Sequence, residues 1–411
     1  MVREISHCRL CRSAMLVTVL DLGNQALTGI FPQSKNEHIP SGPLTLVKCT
    51  DCGLVQLKHS YEPSELYGAH YGYRSGLNSS MVEHLKNKVS LLKKMVKLEK
   101  NDIAVDIGSN DGTLLGFYPD TMTLVGFDPS AEKFKKYYRS DIQLVTDFFS
   151  AKKMQEVFPK QKAKIITSIS MFYDLEAPLE FVEQVYSILA EDGVWHFEQS
   201  YLPLMLKTNS YDTICHEHLE YYALKQIKWM TDRVGLKIIA VEQNDINGGS
   251  FAISVAKKDA PYPEATEIVN KMLADEHQMG LDDLETYKVF AARIEKQRTE
   301  LLELLNKLKK ENKKVCGYGA STKGNVILQH CGIDESLLPS IAEVNVDKFG
   351  CFTPGTQIPI LSEKEVHAMQ PDYLFVLPWH FRDNILAREQ NYLNNGGKFI
   401  FSLPELEIVG K

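Results

Sequence analysis

The sequence predicts an α/β protein in three parts: a small cysteine-stapled N-terminal module followed by two Rossmann-like units. Three observations carry this. Four of the eight cysteines fall within the first 52 residues as two Cys-x2-Cys pairs. Apolar runs of strand length then alternate with helix-length segments, the pattern of a doubly wound sheet. Two glycine-rich turns, each following an apolar run, begin at Gly108 and Gly317 and mark two nucleotide-binding-like halves. At 411 residues the chain exceeds the size at which a single core stops growing, so two or three domains are expected. The expected division is 1–75, 76–260, a helical connection over 261–312, and 313–411.

In the N-terminal part, GNQ, PQS and PSGP interrupt any long periodicity, which suits a module held by metal. Cys8, Cys11, Cys49 and Cys52 supply two thiolate pairs, each half of a tetrahedral Zn²⁺ shell. Four soft ligands close that shell, so the metal is expected to be structural. An iron–sulfur centre is the alternative these ligands leave open. Cys215, Cys316, Cys331 and Cys351 are scattered and read as buried small hydrophobes.

Apolar residues from Met81 to Val96 recur at helical spacing and lead into IAVDIG. TLVGFD, IQLVTD, AKIITSIS and VWHFEQS continue the strand series. Between Pro261 and Asn312, Leu284, Tyr287, Ala291, Ile294, Leu301, Leu305 and Leu308 keep near-heptad spacing in a charged background. The run is only about four heptads with unpaired flanking charges, so it reads as a connecting helix rather than a dimer seam. A monomer or weak homo-oligomer is expected. VCGYG, PSIAEVNV, DYLFVLPW and KFIFSLP are strands of the last unit.

The net charge of −7 gives no electrostatic drive toward nucleic acid or anionic membrane. The first residues, MVREISHCRLCR, lack the layout of a secretory signal, and no window approaches the roughly 18 apolar residues of a membrane span. A cytoplasmic location is expected.

The first glycine turn, VDIGSNDGTLL, is expected to open a helix whose amides face a ligand. Asp106, Gly108, Asn110 and Gly112 sit in it. Asp128 ends the second strand 22 residues after Asp106, where a carboxylate can accept ribose hydroxyls. Asp147 ends the third and could reach an adenine amino group. Acidic tips on three successive strands suit an adenosine moiety, and DxGxxDG without a triple-glycine turn resembles motif I of class I methyltransferases, whose cofactor is S-adenosylmethionine.

ICHEHLEYY raises a different question. His216 and His218 are two apart, which rules against the HExxH zinc-protease pattern. On an extended segment they would share a face with Glu217 opposite; as a helix start, Glu220 would cap and the aromatics would pack. The functional reading makes one histidine a general base, oriented by Glu217 or a tyrosine phenol.

The second turn, VCGYGASTKGN, is not a Walker A motif, but its amides, Ser321, Thr322 and Lys323 at a helix start suit a diphosphate. Gly319 shapes it. Glu343, Lys348 and the TPGT turn would line the same sheet edge, and Trp379, His380 and Phe381 could face a base or sugar.

Taken in order, the paired CxxC, DIGSNDGTLL, HEH, GYGASTKGN and TPGTQIP resemble the S-adenosylmethionine-dependent C-methyltransferases of nucleotide-linked ketosugars, over nearly the whole chain. The resemblance implies a zinc module, a class I methyltransferase domain and a C-terminal α/β domain. It implies that His218 removes a proton beside a ketone with Glu217 next to it, and that Tyr73, or Tyr71 as its rival, lies over the reacting centre. Tyr73, Tyr221 or His216 could then stabilise the oxyanion. O- or N-methylation of a nucleotide sugar and a non-catalytic nucleotide-sugar binder are the alternatives. The chain departs from the family at Cys215, where tyrosine is usual, and at Ser170 and Asp174, where asparagine and histidine are common.

Overall fold

The computed structural model describes residues 2–67 and 73–410, the side chains of Ser64 and Glu65 apart. In the N-terminal module, β1 (Leu16–Ala26), β2 (Ser41–Cys49) and β3 (Val55–Leu57) form an antiparallel meander. The loops before β1 and after β2 bring the two cysteine pairs together.

Helix α1 (Ser79–Met95) is capped by Asn78, whose side chain accepts the Ser80 amide, and buries Met81, Leu85, Val89 and Leu92 at helical spacing. The central sheet follows: β4 (Ile103–Ile107), β5 (Thr123–Phe127), β6 (Ile142–Val145), β7 (Ala163–Ile169), α2 (Pro178–Ile188) and β8 (Leu189–Ser200). The two-residue strand β9 (Glu220–Tyr221), α3 (Leu224–Val234), β10 (Leu236–Asn244) and β11 (Ser250–Lys257) complete this part. The sheet order is β10-β11-β8-β7-β4-β5-β6, with β11 antiparallel to both neighbours. All five strands read from sequence are in it.

β9 leaves the central sheet and pairs instead with β3, Glu220 opposite Gln56 and Tyr221 opposite Val55. The residues directly after HEH therefore form the edge of the cysteine module's own sheet.

The charged segment resolves into α4 (Thr266–Gln278) and α5 (Leu284–Lys310). α5 buries Tyr287, Phe290, Ile294, Leu301, Leu305 and Leu308 in one core with the last unit. That unit contains β12 (Val315–Tyr318), α6 (Thr322–Cys331), β13 (Ile341–Glu343), β14 (Ile360–Ser362), β15 (Tyr373–Val376), β16 (Lys398–Phe401) and β17 (Glu407–Val409). Its order is β14-β13-β12-β15-β16-β17, parallel except for β17. The strand order reverses between β12 and β15, so the crevice that such sheets use for ligands opens beside the second glycine turn. Among the described residues no helix is long and apolar enough to cross a membrane.

One expectation fails here. The first glycine turn opens no α-helix: only a 3₁₀ turn, Leu115–Phe117, follows it. Gly108, Asn110 and Gly112 all have positive φ, so no continuous right-handed run can start.

Candidate active site

The four N-terminal cysteines converge, with all Sγ atoms within 4.8 Å of one another and the closest pairs, Cys8–Cys52 and Cys11–Cys49, at 3.6 and 3.5 Å. Zn–S bonds of about 2.3 Å in a tetrahedron need sulfurs about 3.8 Å apart, so the cluster fits the ion. Gln56 Nε2 donates to Cys8 Sγ at 3.1 Å. Between the first two cysteines, buried Arg9 donates to Leu57 O and Ser60 Oγ and lies 3.8 Å from Glu220. A metal at this position thus fixes the chain that fixes β9.

At the C-terminal ends of β4, β5 and β7 lies a cavity of about 200 Å³, lined among others by Asp106, Gly108, Asn110, Asp128, Phe148 and Ser170. Gly108 has φ +78, and a Cβ there would come within 3.0 Å of Met171, so glycine keeps this wall open. Asp106 accepts from Thr167 Oγ1 at 2.6 Å, and burial pushes its carboxyl up to about 7 against that bond. Asp128 accepts the Asn110 amide at 2.8 Å on one oxygen and the amide and hydroxyl of Ser130 on the other. The oxygen that takes only the Asn110 amide, Oδ2, keeps a lone pair for a ligand hydroxyl.

Asn110 and Asp111 hold the segment that covers this cavity. The Asn110 side chain accepts the Ser75 amide and donates to Tyr73 O, and Asp111 accepts the Gly76 amide at 2.9 Å. Tyr73 lines the cavity and is half exposed. Tyr71 lies outside the described residues. Gly112 has φ +76 and packs on the Tyr138 ring. Asp147 does not join: it is exposed and ion-paired with Lys153, while Phe148 and Phe149, missed from sequence, line the cavity instead. The polypeptide leaves the β6 tip with its carboxylate outward, which corrects the expected adenine contact.

The HEH segment is neither helix nor regular strand but a turn after the short helix Tyr211–Thr213. It separates the two histidines. His216 is fully buried in the N-terminal module, its Nε2 3.2 Å from Gly42 O and its ring edge-on to Tyr61. Burial holds it down to about 4. Neither the shared face of an extended segment nor the helix start is therefore formed, and His216 is a packing residue. His218 turns the other way, with Nδ1 2.7 Å from Thr213 O and its ring 4.2 Å from that of Tyr173.

Glu217 has its Oε1 against Gly29 and its Oε2 buried without a partner among the described residues. Cys215 hydrogen-bonds it, and burial raises the Glu217 carboxyl. Asp174, also raised by burial, is close enough for Glu217 to act on it electrostatically. The Tyr221 hydroxyl, buried without a partner among the described residues, feels Cys215, Asp174 and Glu217. The departures at 174 and 215 therefore surround one carboxylate. Ser170, with φ +55, lies on the cavity wall.

From the last unit, Gly319 (φ +81) packs its backbone against Pro378, where a Cβ would come within 2.6 Å. Ser321 caps α6 by accepting the Gly324 amide. Glu343 accepts the amides of Ala320, Val344 and Asn345, while Lys348 donates to Ala320 O and lies over the Phe31 ring. These two residues brace the turn from both sides. Lys323 reaches out of it, donating to Asn247 O at 2.5 Å. Its charge acts on Asp212, His218 and His380. Trp379 offers no open face: its indole N–H donates to Asp212 at 2.8 Å and its ring lies on Gly248. Neither Asp212 nor Asn247 was singled out from sequence; Asp212 stands four residues before His216, but carboxylates are too common for that spacing to carry a signal.

A family model for a C-methyltransferase C-terminal domain matches residues 245–404, one for a zinc binding domain matches 8–67, and one for a methyltransferase domain matches 81–241. The chain is 31% identical to the C-methyltransferase NovU of Streptomyces niveus over 412 residues, covering 99% of this chain and 98% of that protein. The chain belongs to the C-methyltransferase family. This C-methyltransferase uses S-adenosylmethionine and carries a structural zinc site. Among solved structures it is similar to the plantazolicin methyltransferase BpumL in complex with SAH (13% identity, 42% of this chain and 82% of that one, TM-score 0.34). It is also similar to an S-adenosylmethionine-dependent methyltransferase from Clostridium acetobutylicum (13%, 43% and 92%, TM-score 0.34).

Proposed function

We propose that the enzyme methylates the carbon beside the ketone of a nucleoside-diphosphate-linked ketosugar. One observation supports the reading: Lys323, in the second glycine turn, lies within electrostatic reach of His218, in the HEH turn. A base and a diphosphate-binding cation thus serve one substrate.

When bound, S-adenosylmethionine supplies a methyl already activated on sulfonium, so the protein's task is to make a carbon nucleophile and aim it. His218, with Nδ1–H directed to Thr213 O, presents its Nε2 lone pair. Nε2 takes the proton on the carbon beside the ketone, and the C–H electrons move into an enolate. The enolate carbon would then be the nucleophile for the activated methyl that the bound cofactor would supply, and His218 returns its proton to solvent. Tyr221 and Tyr73 are the candidate donors to the developing oxyanion. Lys323 holds the diphosphate, and Glu343 and Lys348 keep the second glycine turn rigid by bonding its Ala320 amide and carbonyl.

The test incubates the enzyme with methyl-labelled cofactor and a panel of nucleotide ketosugars, following label by NMR. Label on a sugar carbon is expected. Transfer to oxygen or nitrogen, or none to any panel member while the cofactor binds, sinks the proposal.

A further inference from the structure

Glu198 is fully buried near the C-terminal end of β8, and its carboxylate is met from two directions. From α1, His84 Nε2 lies 2.6 Å from Oε1 and the buried Lys88 Nζ lies 2.9 Å from Oε2. From the end of β10, Asn244 Nδ2 donates to Oε2 at 2.8 Å. Burial acts to raise this carboxyl, but the His84 hydrogen bond and the Lys88 charge hold it down to about 2, so it stays ionised. A charge taken out of water is costly unless its partners are fixed, and here the partners lead to both halves of the site.

The first lead runs to the cofactor cavity. Met81 and Leu85 line it, and they share one face of α1 with His84 and Lys88. On the strand side, the Glu198 carbonyl accepts the Ser170 amide at 2.7 Å, and Ser170 lines the same cavity. Glu198 therefore joins two walls of that cavity, one through its main chain and one through its side chain.

The second lead runs to Lys323. Asn244 Oδ1 accepts the Ile246 amide at 3.0 Å, at the start of a turn in which Asn247, Gly248 and Gly249 all have positive φ. Such a backbone persists only when its surroundings hold it. Ser250 Oγ holds the other end by donating to Ile246 O. The turn presents the Asn247 carbonyl that accepts Lys323 and the Gly248 surface on which Trp379 lies.

We propose that Glu198 is a positioning residue common to both halves: through His84 and Lys88 it sets α1 against the cofactor cavity, and through Asn244 it sets the turn that receives Lys323. The second half rests on the reading of Lys323 as the diphosphate-binding cation.

Titration calorimetry on the full-length enzyme, with SAH and separately with uridine and thymidine diphosphate, tests the two leads. His84→Leu is expected to weaken SAH binding by about tenfold and to leave the diphosphates alone. His84→Gln, which can still donate to Glu198, should recover most of that loss. Asn244→Ala should do the reverse, weakening the diphosphates by about tenfold while SAH binds as in the wild type. Glu198→Gln should weaken both. A scaffold role would lower the melting temperature without dividing the two affinities in this way. If Glu198→Gln does not fold, the His84 and Asn244 variants carry the test. Both affinities falling together in each of these, or neither falling in any variant, overturns the assignment. A wild type that binds SAH but neither diphosphate overturns the diphosphate reading and with it the second half, while SAH binding by His84→Leu still decides the first.

Discussion

His218 is tied through Nδ1 to the carbonyl oxygen of Thr213 at 2.7 Å, and this bond decides its tautomer. A carbonyl only accepts, so the proton sits on Nδ1 and the Nε2 lone pair is free. Thr213 ends the short helix whose Asp212 is held by Trp379, so the His218 ring is aimed by a turn that the C-terminal unit clamps.

We predict that His218→Asn, which keeps an N–H toward Thr213 but has no basic nitrogen, lowers kcat by about 100- to 10,000-fold. SAH binding by calorimetry should be unchanged. A variant within a few-fold of wild type would remove His218 from the reaction.

His216 should behave oppositely. Its folded pKa of about 4 lies below the ordinary 6.5, so the folded state holds it neutral while the unfolded chain takes up a proton. Its contribution is present above pH 6.5 and lost as pH falls from 6.5 to 4, by up to about 3 kcal/mol. In His216→Asn, urea unfolding at pH 7.5 and 4.5 should show a smaller acid-side loss than wild type, with kcat at pH 7.5 nearly intact. An unchanged pH dependence of stability would refute the assignment.

The strand-end acids should divide sharply. Asp128→Asn removes an anion that organises Asn110 and Ser130 at the cavity, and is expected to weaken SAH binding by about 10- to 100-fold. Asp147→Ala breaks only an exposed pair with Lys153, which is worth less than about 1 kcal/mol, and should leave the affinity alone. Titration calorimetry on both variants reads this directly, and equal effects would contradict the geometry.

Lys323 links substrate binding to basicity. Burial and then the Lys323 charge hold His218 down to about 3. Lys323→Met is expected to raise the His218 pKa, visible in its imidazole NMR shifts, and to raise KM for a nucleotide sugar by about tenfold. A diphosphate seated on Lys323 should raise that pKa in the wild type too. No movement of the resonance in either experiment would uncouple the two residues.

Much of this was legible because it rests on local pattern. Every strand of both sheets that alternates with helices is a short apolar run, and Cys-x2-Cys spacing dictates thiolate pairing whatever lies between. Residues 214–219 resisted reading because their conformation is set from outside: Gly42 and Tyr61 capture His216, Tyr173 and Thr213 capture His218, and β3 captures Glu220–Tyr221. Trp379 misled for the same reason. An aromatic after a strand tip reads equally well as a ligand platform or an interdomain bolt, and only Asp212, 167 residues away, decides.

The pairing of Glu220–Tyr221 with Val55–Leu57 also bears on how such a chain can be altered. Its modules follow one another in sequence like separate beads, yet the outermost strand of the first is lent by the second. A chimera that takes the first 75 residues from a relative would graft a sheet onto a foreign edge strand, disturbing the His216–His218 turn even if both halves fold. Residues 214–222 therefore have to travel with the N-terminal module, and the natural seam for recombination runs through space rather than along the chain.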